Sequence, residues 1–163
     1  MKWGRAFWAG VLGGAIMTIL VAIARTMGMP VNLSMMLGTL IGVTPSVGAW
    51  VLGFIIHLVI SGLIAWLYAA GFEYATHRAN AGIGAAFAIV HTILGGLFLG
   101  ILPAIHPLMP DVIPAPGIFL SNLGVAGVVT FILLHLIYGV IVGGAYGVVL
   151  HRPARREVHA PAR

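Results

Sequence analysis

The chain has no cysteine and very few charged side chains. Its 163 residues include eight Lys or Arg and three Asp or Glu, whereas the apolar set makes up 61%. Soluble domains average about 25% charged residues. Without cysteine there is no disulfide, thiolate metal site, iron–sulfur cluster or cysteine nucleophile. So few charges exclude a soluble enzyme, a disordered chain and a nucleic-acid-binding domain, and they predict an integral membrane protein.

Four long apolar runs follow one another along the chain. A helix needs about 20 apolar residues to cross the hydrocarbon core, and lipid forces every backbone polar group to bond within that helix. We therefore predict one all-α transmembrane domain, residues 1–150, with helices at 6–24, 48–70, 81–102 and 122–150. The basic tail, residues 151–163, is predicted to be disordered and to touch the lipid bilayer.

The basic residues are unevenly distributed about these helices. Four crossings place Lys2, Arg5, Arg78 and the tail arginines on one side, and only Arg25 near the other. Because Lys and Arg accumulate in cytoplasmic loops, we predict a multi-pass protein of the bacterial inner membrane with both termini in the cytoplasm. A cleaved signal peptide is the competing interpretation of the first run, because residues 22–24 resemble a cleavage site.

The two loops on the predicted outer side differ in character. Residues 27–47 are mostly apolar, and residues 32–41 are predicted to form a short helix in the membrane interface. Residues 103–121 contain five prolines and the acidic Asp111. Proline removes a backbone donor and clashes inside helices, so this second loop is predicted to be a stiff, non-helical lid.

Two shifts of the chain indicate an internal repeat. A shift of 78 residues aligns His57 with His135 and Tyr68 with Tyr146, and both helices then read His-x3-small-x3-small-x2-Tyr. A shift of 74 aligns the Thr-Ile-Leu of residues 18–20 with that of residues 92–94. The sequence therefore predicts a four-helix bundle of two tandem hairpins, related by a pseudo-two-fold axis along the membrane normal.

Three histidines lie within the predicted helices: His57, His91 and His135. Ionisable groups inside a membrane are costly and are functional candidates, and we expect all three to point into the bundle. In one interpretation they only hydrogen-bond across helices and hold the bundle together, with Ser61, Thr92, Thr18 or a tyrosine hydroxyl as partners. In a second, they ligate the iron of haem b, or a copper or zinc ion, as neutral imidazoles. Arg25 would then meet a haem propionate.

A third interpretation makes the histidines part of a pathway. Ser61, Tyr68 and Tyr146 lie on the same helix faces as His57 and His135, and these two His–Tyr stripes would then carry protons or a small solute.

Small residues at four-residue spacing have a different use, because they let helices approach closely. They favour self-association or contact with other membrane subunits, and they recur at Gly10-x3-Gly14, Gly96-x3-Gly100 and Gly139-x3-Gly143-x3-Gly147.

A weaker candidate metal site lies in the predicted outer loops. Met27, Met29 and Met109 supply thioethers there, and His106 supplies an imidazole. Soft thioether ligands select Cu(I). Neither spacing is diagnostic, because methionine is also an ordinary apolar residue at a membrane surface.

Short motifs resemble an uncharacterised family of small four-helix bacterial membrane proteins. The segment His135-Leu-Ile-Tyr-Gly139 resembles that family's last helix, Gly53-Phe-Ile-Ile-His57 its second helix, and Pro116-Gly117-Ile-Phe119 its outer loop. The resemblance implies a four-helix inner-membrane fold and no particular activity.

No nucleophile motif, phosphate-binding loop or acidic pair is present to suggest an enzyme. We therefore predict a non-enzymatic membrane subunit with an intramembrane histidine site, of which a haem or copper site is the sharper form. The alternatives are the His–Tyr pathway and a purely structural scaffold within a larger membrane complex.

Overall fold

A computed structural model describes the backbone of residues 1–150 and the side chains of residues 1–147. The part described is helical and contains no β-strand, which confirms the all-α fold class. The tail predicted to be disordered lies outside the described residues. The α-helices are α1 (Trp3–Thr26), α2 (Leu33–Gly38), α3 (Val47–Ala70), α4 (Ala81–Ile105) and α5 (Gly124–Leu150).

Two irregular segments join these helices. A π-helical segment, Gly71–Thr76, continues α3, and a turn over Ile118–Leu123 precedes α5. Phe119 and Leu120 have positive φ angles in that turn. The four long helices, with these extensions, are long and apolar enough to cross a membrane, as expected of a multi-pass membrane protein.

The helix starts follow from local side-chain chemistry. The Ser46 side chain accepts a hydrogen bond from the Ala49 backbone N–H at the start of α3. Asn80 does the same for Ile83 at the start of α4. Such caps satisfy backbone donors that have no partner within the helix, so both helices begin at the positions that polar residues mark in the sequence.

The predicted end of the third run is wrong by one turn. Residues 103–121 were expected to be non-helical from Pro103 onward, but α4 continues through Pro103 to Ile105. A proline there costs the helix a single backbone donor. The next turn is held by the His106 N–H, which donates to the Leu102 carbonyl. The remaining prolines do lie outside the long helices.

The long helices pack in the order α3, α1, α5, α4. α1 lies against α3 and α5, and α4 lies against α5, whereas α3 and α4 come together through few close backbone contacts. One end of the bundle holds Lys2, Glu73 and Arg78, and we call it the basic end. The other, which holds α2 and the proline-containing loop, is called the loop end.

Glycines set the two closest helix pairs. A Cβ at Gly10 in α1 would overlap the Ser61 carbonyl oxygen of α3, and a Cβ at Gly84 in α4 would overlap the Gly139 carbonyl oxygen of α5. The predicted shifts of 74 and 78 residues relate Gly10 to Gly84 and Ser61 to Gly139. The two hairpins therefore close through contacts at corresponding positions.

The short helix α2 is more than an interfacial segment. It packs on α3, where a Cβ at Gly38 would overlap the Ala49 carbonyl oxygen and a Cβ at Gly53 would overlap the Ser34 carbonyl oxygen. Met36 joins an apolar cluster with Met109 from the proline-containing loop. The two loops thus form a packed roof over the loop end of the bundle.

The glycine contact between α4 and α5 gives the first prediction. In Gly84→Ala the new methyl group meets the backbone of α5, which cannot move aside cheaply, so we expect a loss of about 1–3 kcal/mol in unfolding free energy. Nothing lies within 4 Å of a Cβ at Gly144 in α5, so Gly144→Ala is the matched control and should be neutral or stabilising. Unfolding in mixed micelles measures both, and equal stability of the two variants would contradict the packing described.

Candidate functional site

A cavity of about 170 Å³ lies inside the bundle, beneath the roof. All four long helices and α2 contribute to its walls, and most of the lining side chains are apolar. They include Met17, Ile60, Phe98, Leu99, Phe131 and Leu134. The polar side chains that reach this cavity are His57, Ser61, His91, His135 and Tyr138. The three histidines singled out from the sequence therefore line one space.

His135 is oriented by its own helix. Its Nδ1 lies 2.8 Å from the Phe131 carbonyl oxygen one turn earlier. A carbonyl can only accept, so Nδ1 carries the proton and donates. In a neutral imidazole the other nitrogen, Nε2, then has a free lone pair. A Cβ at Gly95 in α4 would lie 3.1 Å from this Nε2, so the glycine leaves open the space in front of it.

His57 is oriented by the neighbouring helix. Its Nδ1 lies 2.9 Å from the Thr18 hydroxyl of α1. That hydroxyl donates its single proton to the Gly14 carbonyl, at 3.0 Å. With the Thr18 proton on Gly14, Nδ1 of His57 is the donor in its contact with Thr18, and Nε2 is again the nitrogen with a lone pair.

His91 closes the group from α4. Its Nδ1 lies 3.2 Å from the Tyr68 hydroxyl of α3, a contact that either tautomer can make. Its ring centroid lies 4.7 Å from that of His135 and 5.3 Å from that of Tyr138, edge to face in both cases. The imidazoles of α4 and α5 are thus in direct contact.

The free nitrogens of His57 and His135 face the cavity. Among residues 1–147, every fully enclosed side-chain nitrogen or oxygen has a hydrogen-bond partner. The Nε2 atoms have none, so they are not sealed in protein but border open space. The cavity thus combines apolar walls with at least two hydrogen-bond acceptors.

The cavity is closed toward the basic end. The Tyr138 hydroxyl donates to the Ser61 carbonyl across the bundle, and the Ser61 hydroxyl donates to the His57 carbonyl at 2.7 Å. Below them, Phe72 and Val142 are completely buried. This apolar layer separates the cavity from Tyr146, whose hydroxyl donates to Glu73 at 2.6 Å.

The His–Tyr stripes therefore do not line one continuous path. Tyr68 contacts His91, but Tyr146 belongs to a separate polar contact at the basic end. Ser61, named from the sequence as a pathway residue, is in place at the cavity. Its hydroxyl bonds within its own helix.

Haem does not fit this cavity. An engineered protein cavity of about 150 Å³ holds benzene, and a porphyrin is several times larger than that one ring. Arg25, the expected propionate partner, lines a separate small cavity of about 40 Å³ with Asn32 and Trp50. Arg25 therefore does not line the cavity that holds the three histidines.

A metal site with three or more ligands is also absent from the described part of the chain. No three His, Asp or Glu side chains within residues 1–147 are arranged to hold a metal ion. A two-imidazole site remains compatible with the lone pairs on His57 and His135.

The loop residues singled out as soft-metal ligands are not assembled into a site. His106 donates from Nε2 to the Met36 carbonyl at 2.9 Å, and its Nδ1 accepts from the Leu108 N–H at 3.2 Å. Both ring nitrogens are therefore in use, and His106 ties the two loops of the roof together. Met109 is buried in the apolar cluster of the roof and Met29 packs against that cluster, while Met27 is 82% exposed.

Thr18, one of several hydrogen-bond partners expected from the sequence, is the one that contacts His57. One residue important to the site was not identified from the sequence. Tyr138 was overlooked, although it lies three residues after His135 and so shares its helix face. That spacing was the available signal.

Comparisons with known protein families, with curated proteins and with solved structures gave no match to this chain. The resemblance to a family of small bacterial membrane proteins stays a prediction.

The tautomers give the second prediction. Nitrogen-15 spectra of histidine-labelled protein in bilayers should show His57 and His135 protonated at Nδ1, with an unprotonated Nε2. Thr18→Val removes the acceptor of the His57 proton and should perturb the His57 signals while leaving those of His135 in place. An Nε2-protonated form of either residue in the native protein would refute the assignment.

Proposed function

We propose that this protein is a non-enzymatic membrane subunit that binds a small ligand at the three histidines inside its bundle. The observation that carries the proposal is the pair of Nε2 lone pairs, on His57 and His135, that border an otherwise apolar cavity. Largely apolar pockets with a few convergent polar groups are the usual form of small-molecule sites. Histidines serving only as structural links would use both ring nitrogens, as His106 does.

The closed floor favours binding over conduction. A proton or solute pathway needs polar groups from one end of the bundle to the other, and Phe72 and Val142 interrupt them. A cavity without a continuous path through the bundle is suited to holding a ligand. A protein that serves only as a scaffold does not need three imidazoles beside open space in the membrane, because polar groups there cost free energy.

A copper or zinc ion is the second candidate ligand. Metal-binding histidines commonly donate their other N–H to a carbonyl or a similar acceptor, which fixes the ring and its tautomer. His135 donates to the Phe131 carbonyl and His57 to the Thr18 hydroxyl, so both have this arrangement. Two imidazoles would then need a further ligand, or the low coordination number of Cu(I).

The site lies in the half of the membrane opposite the cytoplasm if the positive-inside rule holds for this chain. The basic end carries Lys2, Arg5 and Arg78, which favours a cytoplasmic position for it in a bacterial inner membrane. The roof of the cavity would then lie on the outer side.

This orientation gives the third prediction. The chain has no cysteine, so single cysteines report position without background. A membrane-impermeant maleimide added to intact spheroplasts should label Asp111→Cys in the roof and spare Arg78→Cys at the basic end. After lysis both should react. The reverse pattern would invert the proposed topology.

Removal of the imidazoles gives the fourth prediction. Protein purified from its native membrane in mild detergent should carry a bound organic molecule or metal, detected by mass spectrometry and elemental analysis. His135→Phe and His57→Phe should lose it, because the replaced ring cannot accept a hydrogen bond or ligate. His77→Asn is the control, since His77 is exposed and has a positive φ angle that asparagine tolerates.

A native preparation without any bound molecule, or one whose content is the same in all three variants, would sink the proposal and leave the scaffold role.

A further inference from the structure

The cavity is bordered by exposed side chains at one place only. Among the side chains that line it, Ile60 of α3 and Phe98 of α4 are the most exposed, at 39% and 45%. These are the two helices that hardly meet through their backbones. The mouth of the cavity therefore lies between α3 and α4, on the side of the bundle.

Neither end of the bundle offers another opening. The roof is packed, with Leu102 at 1% and Leu120 at 5% exposure. On the floor, Tyr138 and Phe72 are buried, and Tyr68 of α3 contacts both Phe87 and His91 of α4. In a membrane the mouth consequently opens to lipid, because Ile60 and Phe98 both lie well inside spans long enough to cross it.

The tautomers select the ligand group that binds. His57 and His135 both present a lone pair, so a ligand that binds these two residues must supply a hydrogen-bond donor. A carbonyl or an ether, which can only accept, has no partner on these two residues. A neutral hydroxyl meets the need without the cost of bringing a charge into the membrane.

The volume of the cavity and the side chains of its walls narrow the class of ligand further. The cavity is close in volume to the one that holds benzene, and aromatic rings stand around it at Phe98, Phe131 and Tyr138. Rings pack favourably edge to face or offset. We infer that the cavity takes the ring of a membrane-soluble phenol from the lipid, through the gap between α3 and α4, with its hydroxyl donating to Nε2 of His135 or His57. Ring substituents such as an alkyl tail would extend past Ile60 and Phe98 into the bilayer. This inference rests on the proposed function.

The test compares two probes of matched shape. The full-length protein in mild detergent is titrated with para-butylphenol and with its methyl ether, para-butylanisole, followed by calorimetry and by the shift in Tm. We expect the phenol to bind at least about tenfold more tightly, because the ether leaves the buried acceptors unpaired. The preference should disappear in the double variant of His57→Phe and His135→Phe, which removes both acceptors.

A second pair of variants keeps the test independent of the histidine change. In Gly95→Ala the new methyl group would lie 3.1 Å from Nε2 of His135, whereas in Gly100→Ala on the same helix it makes an ordinary contact of 3.5 Å. We expect phenol binding to weaken severalfold in the first and to stay unchanged in the second. Equal binding in both would place the phenol elsewhere.

The lateral route into the cavity is tested by placing a larger side chain at its mouth. Ile60→Trp should slow association of the phenol severalfold, and Leu63→Trp should not, because Leu63 is exposed on α3 but does not line the cavity. Unchanged association in Ile60→Trp would overturn the lateral route.

The outcomes separate this inference from the function beneath it. Equal affinity for phenol and ether would overturn the donor requirement while the cavity remains a binding site. Failure of both probes, with a metal that is lost in the histidine variants, would overturn the phenol class and favour the second candidate ligand. Failure of both probes with no native ligand or metal would overturn the inference and the proposed function together.

Discussion

The structure depends on one constraint, which is that a polar side chain inside a membrane needs a partner within the protein. The imidazoles of His57, His91 and His135 meet it on one nitrogen each, through a threonine hydroxyl, a tyrosine hydroxyl and a backbone carbonyl. Those bonds fix the three rings. They also decide which nitrogen remains, so the chemistry offered to the cavity is a consequence of how the bundle satisfies its own polar groups.

The cavity exists because the helices do not pack evenly. Glycine brings α1 to α3 and α4 to α5 until their backbones meet, but no such contact joins α3 to α4. There the helices are bridged by large rings, Tyr68 and Phe72 on one side and Phe87 on the other. Small residues close two sides of the bundle and aromatic residues hold a third apart.

The two halves of the repeat also differ at their histidines. His57 bonds to Thr18, but the corresponding residues of the second half, His135 and Thr92, do not bond to each other, since the Thr92 hydroxyl donates to the Ala88 carbonyl.

The sequence was enough to predict the helices and the inward histidines, because hydropathy and polar cost act locally along the chain. It could not show that α3 and α4 stand apart, since that spacing depends on which residues from distant segments meet. Thr18 could be named only as one of several possible partners for the same reason, because only the fold brings it to His57. The helical Pro103 was misjudged because it costs α4 only one backbone hydrogen bond, while the His106 N–H still bonds to the Leu102 carbonyl and holds the last turn. From the sequence His106 looked like a metal ligand, but in the structure both of its ring nitrogens hydrogen-bond to backbone groups of the roof.

The low polarity of the surroundings gives the two free nitrogens their importance. In water a lone pair on imidazole is satisfied by solvent and discriminates little between ligands. Beside an apolar cavity it is left unpaired whenever the occupant cannot donate, and such a group costs free energy comparable to a lost hydrogen bond. In the proposed function the site therefore selects a ligand by its ability to donate a hydrogen bond rather than through many contacts. On the proposed lateral route, this selection acts on molecules already dissolved in the bilayer.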